Sequence, residues 1–178
     1  MGCGGTKAGP PPNLKLLKAD NATYQMIKEV FFAVYRSNPL MPMMLRYAWH
    51  DAGTYNKENK TGGPNGSIRY EPEHSHGANN GLAKARSTIE DIKSKFPRIS
   101  YADLIQIGGY SAVEFAGGPT MNFRFGRVDV PASGCTEDGR LPDAKQGVDH
   151  LRTIFYRMGF DDKEITTLSG AHCLGKAY

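Results

Sequence analysis

Apolar positions recur at helical spacing in several separate segments. In "ATYQMIKEVFFAVYR", Tyr24, Ile27, Phe31 and Val34 fall near one stripe, which predicts a helix opened by a cap at Asp20 or Asn21 and ended by "SNPLMP". A second helix is predicted from about Met43 to Ala52, with Gly53 closing it. A third spans Asn79 to Lys95, with Leu82, Ala85, Ile89, Ile92 and Phe96 spaced for burial and Pro97 as its stop. Ser100 and Asp103 form a Ser-x-x-Asp cap before a fourth helix that runs to about Phe115. Gly108 and Gly109 lie inside it and cost helix propensity, so a close neighbour is expected there. A fifth helix is predicted over Ala144 to Met158. A sixth starts near Asp161 or Asp162 and carries "KEITTLSGAHCLG".

Two long stretches carry no period: "TYNKENKTGGPNGSIRYEPEHSHG" and "GGPTMNFRFGRVDVPASGCTEDGRLPD". Within them "IRY" and "NFRFGRVDV" could form short ladders at most. The fold class is therefore mainly α, with long loops and little strand. Unpatterned loops of this length are uncommon unless they carry function. Residues 1–19 read as a flexible arm, because the three prolines of "AGPPPN" cannot continue a helix. Residues 20–178 read as one domain, and the stop at "HCLGKAY" is expected to fall inside a larger one.

Composition narrows the function classes. The chain has 178 residues, 39% hydrophobic and 22% charged, a folding composition. Its 22 basic and 18 acidic residues leave a net charge of +4 without a Lys/Arg stripe, so a nucleic-acid partner is not expected. Cys3, Cys135 and Cys173 form neither a disulfide framework nor a zinc knuckle, and an intracellular, reducing compartment, cytoplasmic or organellar, is expected. The start "MGCGGTK" places Gly2 for myristoylation, with Cys3 beside it for palmitoylation. Two acyl chains would anchor the chain to a membrane, helped weakly by Lys7, Lys15 and Lys18.

The chemistry concentrates in "PMMLRYAWHDAGTY". Residues three and four apart share a helix face, so Arg46, Trp49 and His50 are expected to project into one space. His50 could move a proton near neutrality, and Arg46 could hold negative charge developing on a leaving oxygen. The alternative is that Arg46 pairs with Asp51 or a glutamate beside a core aromatic. As a base, His50 would need its other nitrogen held. Asn79 or Asn80 could accept from it, with Glu73 in support. His74 and His76 read as solvated loop residues, and His150 as making an ordinary local bond. His172 lies between Gly170 and Gly175, where small neighbours admit a planar group, and a neutral imidazole there suits haem iron.

The segments "PMMLRYAWHDAGTY", "KTGGPNGSIRY", "GANNGL", "FPRISYADLIQIGG", "GGPTMNFRFGRVD", "GRLPDA" and "LSGAHCLGK" occur in the order found in the class I haem peroxidases, the ascorbate and cytochrome c peroxidases. Over residues 40 to 176 the sequence resembles that family. The resemblance implies the N-terminal, distal-side part of the haem peroxidase fold. It implies haem b (iron protoporphyrin IX) as cofactor and His172 as proximal iron ligand. It also implies a distal group of Arg46, Trp49 and His50, with Asn79 holding His50 and Glu73 behind it. The implied reaction reduces hydrogen peroxide to water in defence against oxidative stress. His50 acts first as base and then as acid, Arg46 assists departure of water, and ascorbate or cytochrome c supplies two single electrons.

Several positions depart from the family pattern. The aspartate that usually accepts the other N–H of the proximal histidine lies beyond the last residue, so the C-terminal part of the domain is expected to be missing. Weak haem binding, poor turnover and exposed apolar surface are expected as a result, which leaves an impaired haem binder or peroxide sensor as the second reading. Asn38 stands near a lysine that ascorbate peroxidases share, and Tyr178 stands where several members carry histidine. Cys173 replaces a threonine that helps bind a cation. Sulfur is a poor ligand for hard cations, so a potassium or calcium site is not expected.

Overall fold

The computed structural model describes residues 20–174. The arm with Gly2 and Cys3, and the last residues up to Tyr178, lie outside the described residues. The helices are α1 (Asn21–Ser37), α2 (Met41–Ala52), α3 (Glu71–His74), α4 (Ala83–Lys95), α5 (Tyr101–Phe115), α6 (Val148–Met158) and α7 (Asp162–Ser169). Short 3-10 turns cover Ser67–Arg69, Gly77–Asn79, Ala132–Gly134 and Gly170–Cys173. No helix among the described residues is long and apolar enough to cross a membrane.

Helix α5 is the central element, and α1, α2 and α4 pack on it. Its two glycines explain how closely α2 approaches. A Cβ at Gly109 would stand 2.7 Å from the Ala48 Cβ, and one at Gly108 would stand 2.8 Å from Met44 Cγ. The Tyr35 hydroxyl adds a buried bond to the Gly108 carbonyl at 2.7 Å. Ile27, Phe31, Met44, Tyr47, Leu82, Ile89, Ile92, Leu104, Ile105 and Ile107 fill the main core. A second, smaller core forms where Ile154, Phe155 and Met158 of α6 meet Ile165 of α7.

Local capping sets several boundaries as expected. Asp20 accepts from Thr23 N at 2.9 Å, and Ser100 accepts from Asp103 N at 3.1 Å. Asp161 and Glu164 form a reciprocal capping box at the start of α7. The expected face of the third helix is buried throughout, from Leu82 to Phe96.

Other boundaries differ from the sequence reading. On α1, Tyr35 is also buried, while Val34 is half-buried against the same core. Helix α2 starts at Met41 because Pro42 is tolerated in a first turn. Helix α4 starts at Ala83 rather than Asn79, since 77–79 forms a 3-10 turn and Gly81 takes a positive φ of 84°. Helix α6 starts at Val148 rather than Ala144, because Asp143 accepts from Lys145 N and Gln146 Nε2 and folds that stretch into a turn. The sixth helix gives way after Ser169 to a 3-10 turn through Cys173.

The loops are also more ordered than their composition suggests. "IRY" enters a 3-10 turn instead of a ladder, and α3 follows it at once. "NFRFGRVDV" has no strand partner among the described residues. Its amides instead meet Asp103, which accepts from Gly126 N at 2.9 Å, while Asp129 caps α5 through Tyr101 N and Ala102 N.

Candidate active site

Two side chains of α2, four residues apart, grip one short segment. Arg46 donates to the carbonyls of Ala78 (2.5 Å) and Asn80 (3.2 Å). His50 Nδ1 lies 2.7 Å from Asn79 Oδ1, between those two carbonyls in sequence. Asn79 Nδ2 donates to the Glu73 carbonyl at 2.8 Å, and a carbonyl can only accept. The amide orientation is thereby set, with its oxygen toward His50. Nδ1 of His50 must then carry the proton, which leaves the lone pair on Nε2. Arg46 does not pair with Asp51, the alternative open at the sequence level. The Asp51 carboxylate instead accepts from Gly66 N (3.0 Å) and Ile68 N (3.4 Å).

Burial sets the charge state of the imidazole. His50 is buried, and desolvation pulls its pKa down to about 4. The bond to Asn79 opposes this shift, and the positive Arg46 adds to it. The ring is therefore neutral at physiological pH and able to accept a proton. Partial burial also lowers the Arg46 guanidinium, which nevertheless keeps its charge.

Glu73 supports Asn79 through its main chain rather than its carboxylate. The carboxylate is fully buried and turns to the loop before α6, where Oε2 accepts from Thr136 N at 2.9 Å. Asp51 is fully buried nearby, and burial with the charge of Glu73 pushes its pKa up to about 7.

Trp49 takes a different direction from its neighbour. Successive helical residues are about 100° apart, so Trp49 and His50 cannot share one bearing. The half-buried indole stacks on Phe155 of α6, with ring centroids 5.5 Å apart and planes at 15°. Such a pair contributes about 0.5–1.5 kcal/mol beyond its buried area.

His172 sits in the 3-10 turn after α7 and is exposed. Its Nδ1 is 3.1 Å from the Ser169 carbonyl and must donate to it, which leaves Nε2 free as a ligand atom. That donor chemistry is of the kind that would hold haem iron, and the exposure of Leu168, Ala171 and His172 leaves room for a planar group. The hydrogen bond of His172 stays within its own turn, whereas Arg46, His50 and Asn79 are linked to one another through residues 78–80. His150 also bonds locally, accepting from Asp143 N at 2.9 Å. His74 is less solvated than expected, because its Nδ1 is buried without a partner, and His76 lies 3.9 Å from Asp138. Among the described residues no cluster of three His, Cys, Asp or Glu side chains could hold a metal ion.

Sequence reasoning missed Asp51 as a buried acid, Thr136 as the anchor of Glu73, and Phe155 as the partner of Trp49. The helical stripe of α6 marks Phe155 as buried, but nothing local names its partner. Thr136 is 63 residues from Glu73 and carries no local signal at all.

Known proteins resemble this chain over most of its length. The family model described as Peroxidase matches residues 24–178. L-ascorbate peroxidase 3 of Arabidopsis thaliana is 59% identical over 137 residues, covering 77% of this chain and 47% of that protein. Probable L-ascorbate peroxidase 4, peroxisomal, of Oryza sativa subsp. japonica is 58% identical over 146 residues, covering 82% of this chain and 50% of that protein. The mitochondrial cytochrome c peroxidase of Neurospora crassa is 56% identical over 138 residues, covering 77% of this chain and 38% of that protein. The chain thus spans about half the length, or less, of these relatives. With the family match extending from α1 through the His172 turn, the chain belongs to the peroxidase family, in its class I haem peroxidase branch.

Proposed function

We propose that this chain carries the peroxide-handling side of a haem peroxidase that reduces hydrogen peroxide to water. The observation that carries the reading is the buried His50–Asn79 bond at 2.7 Å, which leaves a neutral imidazole with its lone pair on Nε2. His50 takes the proton from one oxygen of hydrogen peroxide and returns it to the other. Arg46 holds the negative charge that develops on the departing oxygen as the O–O bond breaks. Asn79 and Glu73 keep the imidazole in the required tautomer, and Trp49 forms a wall of the pocket. His172 is the residue to hold the iron of haem b, with Trp49 lining its site. When bound, haem b supplies the redox chemistry, two electrons per peroxide.

The electron donor is proposed as ascorbate or cytochrome c, the two donors carried in the relatives' names. A role in defence against oxidative stress follows from removal of peroxide. The compartment is proposed as intracellular and reducing, with membrane association through acyl groups on Gly2 and Cys3. A second reading, an impaired haem binder or peroxide sensor, is favoured by one observation. His172 donates to a backbone carbonyl and not to a carboxylate, which makes it a weaker electron donor to a metal.

The test is stopped-flow mixing of the haem-loaded chain with hydrogen peroxide. H50L should slow the reaction by about two to four orders of magnitude with haem retained, and unchanged kinetics would remove His50 from the role of base. Turnover with ascorbate against ferrocytochrome c then separates the donors, and reaction without turnover would favour the sensor.

A further inference from the structure

The end of α2 is clamped to α6 at several points. Arg157 donates to the carbonyls of Gly53 (2.7 Å) and Tyr55 (3.2 Å), and Lys57 N donates back to the Arg157 carbonyl at 2.9 Å. Within this clamp the Trp49 indole is covered on one face and left clear at one edge. Phe155, only 5% exposed, stacks on one face. Gly53 leaves the space at the ring edge, since a Cβ there would stand 3.3 Å from Trp49 Cη2 and 2.9 Å from Leu141 Cδ2. Phe155 also packs with Ile154, Met158 and Ile165, the core on which α7 rests. Helix α7 leads directly into the turn that carries His172.

We propose that Phe155 and Gly53 are positioning residues that fix the Trp49 indole, and that through α6 and α7 they tie the orientation of that pocket wall to the helix leading to His172. The consequence for peroxide reaction rests on the function proposed above, whereas the positioning itself does not. Helix α2 alone leaves the indole free to choose among rotamers. The stack on Phe155 selects one, and an alanine at Gly53 would press on the ring edge.

Trp49 is the only tryptophan in the sequence, so its fluorescence reports on this site alone. The experiment compares the wild-type chain with F155L, F155Y and G53A, each haem-free and haem-loaded. With unchanged far-UV circular dichroism, F155L should shift Trp49 emission to longer wavelength and raise its quenching by acrylamide. F155Y keeps the ring and should restore both. G53A should alter the emission with Phe155 intact, and it carries the test if F155L does not fold. In the haem-loaded chain, F155L should slow peroxide reaction about tenfold, the scale of a modest misplacement in a reaction pocket, and F155Y should recover it.

Wild-type emission and quenching in both F155L and G53A would overturn the positioning. Altered fluorescence with an unchanged peroxide rate would overturn its link to the reaction. If the wild-type chain itself does not react with peroxide, the proposed function fails, while the haem-free fluorescence still decides the positioning.

Discussion

Exchanging Asn79 for aspartate isolates the electrostatics of His50 at nearly constant shape. The new carboxylate can still accept from Nδ1, now at 2.7 Å from a formal charge instead of an amide dipole. With a charge separation of about 4 Å and an effective dielectric constant of about 20, the attraction is about 4 kcal/mol, or about 3 pK units. The imidazole starts at about 4, held down first by burial, so the substitution should carry its midpoint to near 7. Lost solvation of the carboxylate, and its repulsion from the Glu73 carbonyl that Asn79 Nδ2 now satisfies, both reduce the shift. A rise of about 2–3 units is therefore expected.

The imidazole nitrogen shifts, followed by NMR against pH in the haem-free chain, read this midpoint directly. In the haem-loaded chain the peroxide rate should fall on the acid side of the same midpoint, because only neutral His50 accepts a proton. Asn79→Leu is the control. It removes the single interaction that raises the His50 pKa, so the midpoint should move down. A folded Asn79→Asp chain whose histidine still titrates near 4 would refute the assigned bond and the base role built on it.

Three further outcomes follow from other parts of the fold. Gly109→Ala should lower stability by about 1–3 kcal/mol in urea denaturation, because its Cβ meets the backbone-anchored Ala48 Cβ at 2.7 Å and α2 must back away from α5. Asp51→Asn should change the pH dependence of stability. The folded-state pKa of Asp51 is raised to about 7, so the native chain holds this proton while the unfolded chain has released it, and stability falls as pH rises from about 4 to 7. The wild type should lose up to about 4 kcal/mol relative to Asp51→Asn across that window, and His50, whose lowered pKa acts in the opposite sense, cancels in the difference. Ser100→Ala removes the cap on Asp103 N and should cost about 1 kcal/mol by thermal melting.

The helices were legible because burial on α1, α4 and α5 follows the 3.6-residue period. Capping side chains mark the starts of α1 and α5 for the same local reason. What stayed hidden is non-local. The direction of Trp49 depends on Phe155, which a period on α2 cannot reveal. The Glu73 carboxylate depends on a backbone amide at Thr136, and any residue but proline could supply that donor. Asp51 looked like a partner for Arg46, yet its position on α2 turns it inward to the amides of Gly66 and Ile68. The pairing of His50 with Asn79 is implied by the family resemblance. The residues alone left Asn80 equally eligible.

The late start of α4, at Ala83, is itself tied to the site. A helix from Asn79 onward would commit the Asn80 carbonyl to the amide four residues later. It would also draw Asn79 into regular helical geometry. Instead, residues 77–79 turn tightly, Gly81 takes a left-handed conformation, and the helix begins at Ala83. The carbonyls of Ala78 and Asn80 stay available, and Arg46 takes both. The Asn79 side chain is left to bridge His50 and the Glu73 carbonyl. Asn79, Asn80 and Gly81 have low helix propensity, and the polar groups of this stretch are committed to α2 and α3 instead. Restoring the helix by replacing Gly81 with alanine would remove a left-handed turn that only glycine adopts freely, and it would pull away the carbonyl that Arg46 needs. Local irregularity here is the structural requirement for holding a cation and a neutral imidazole on one face.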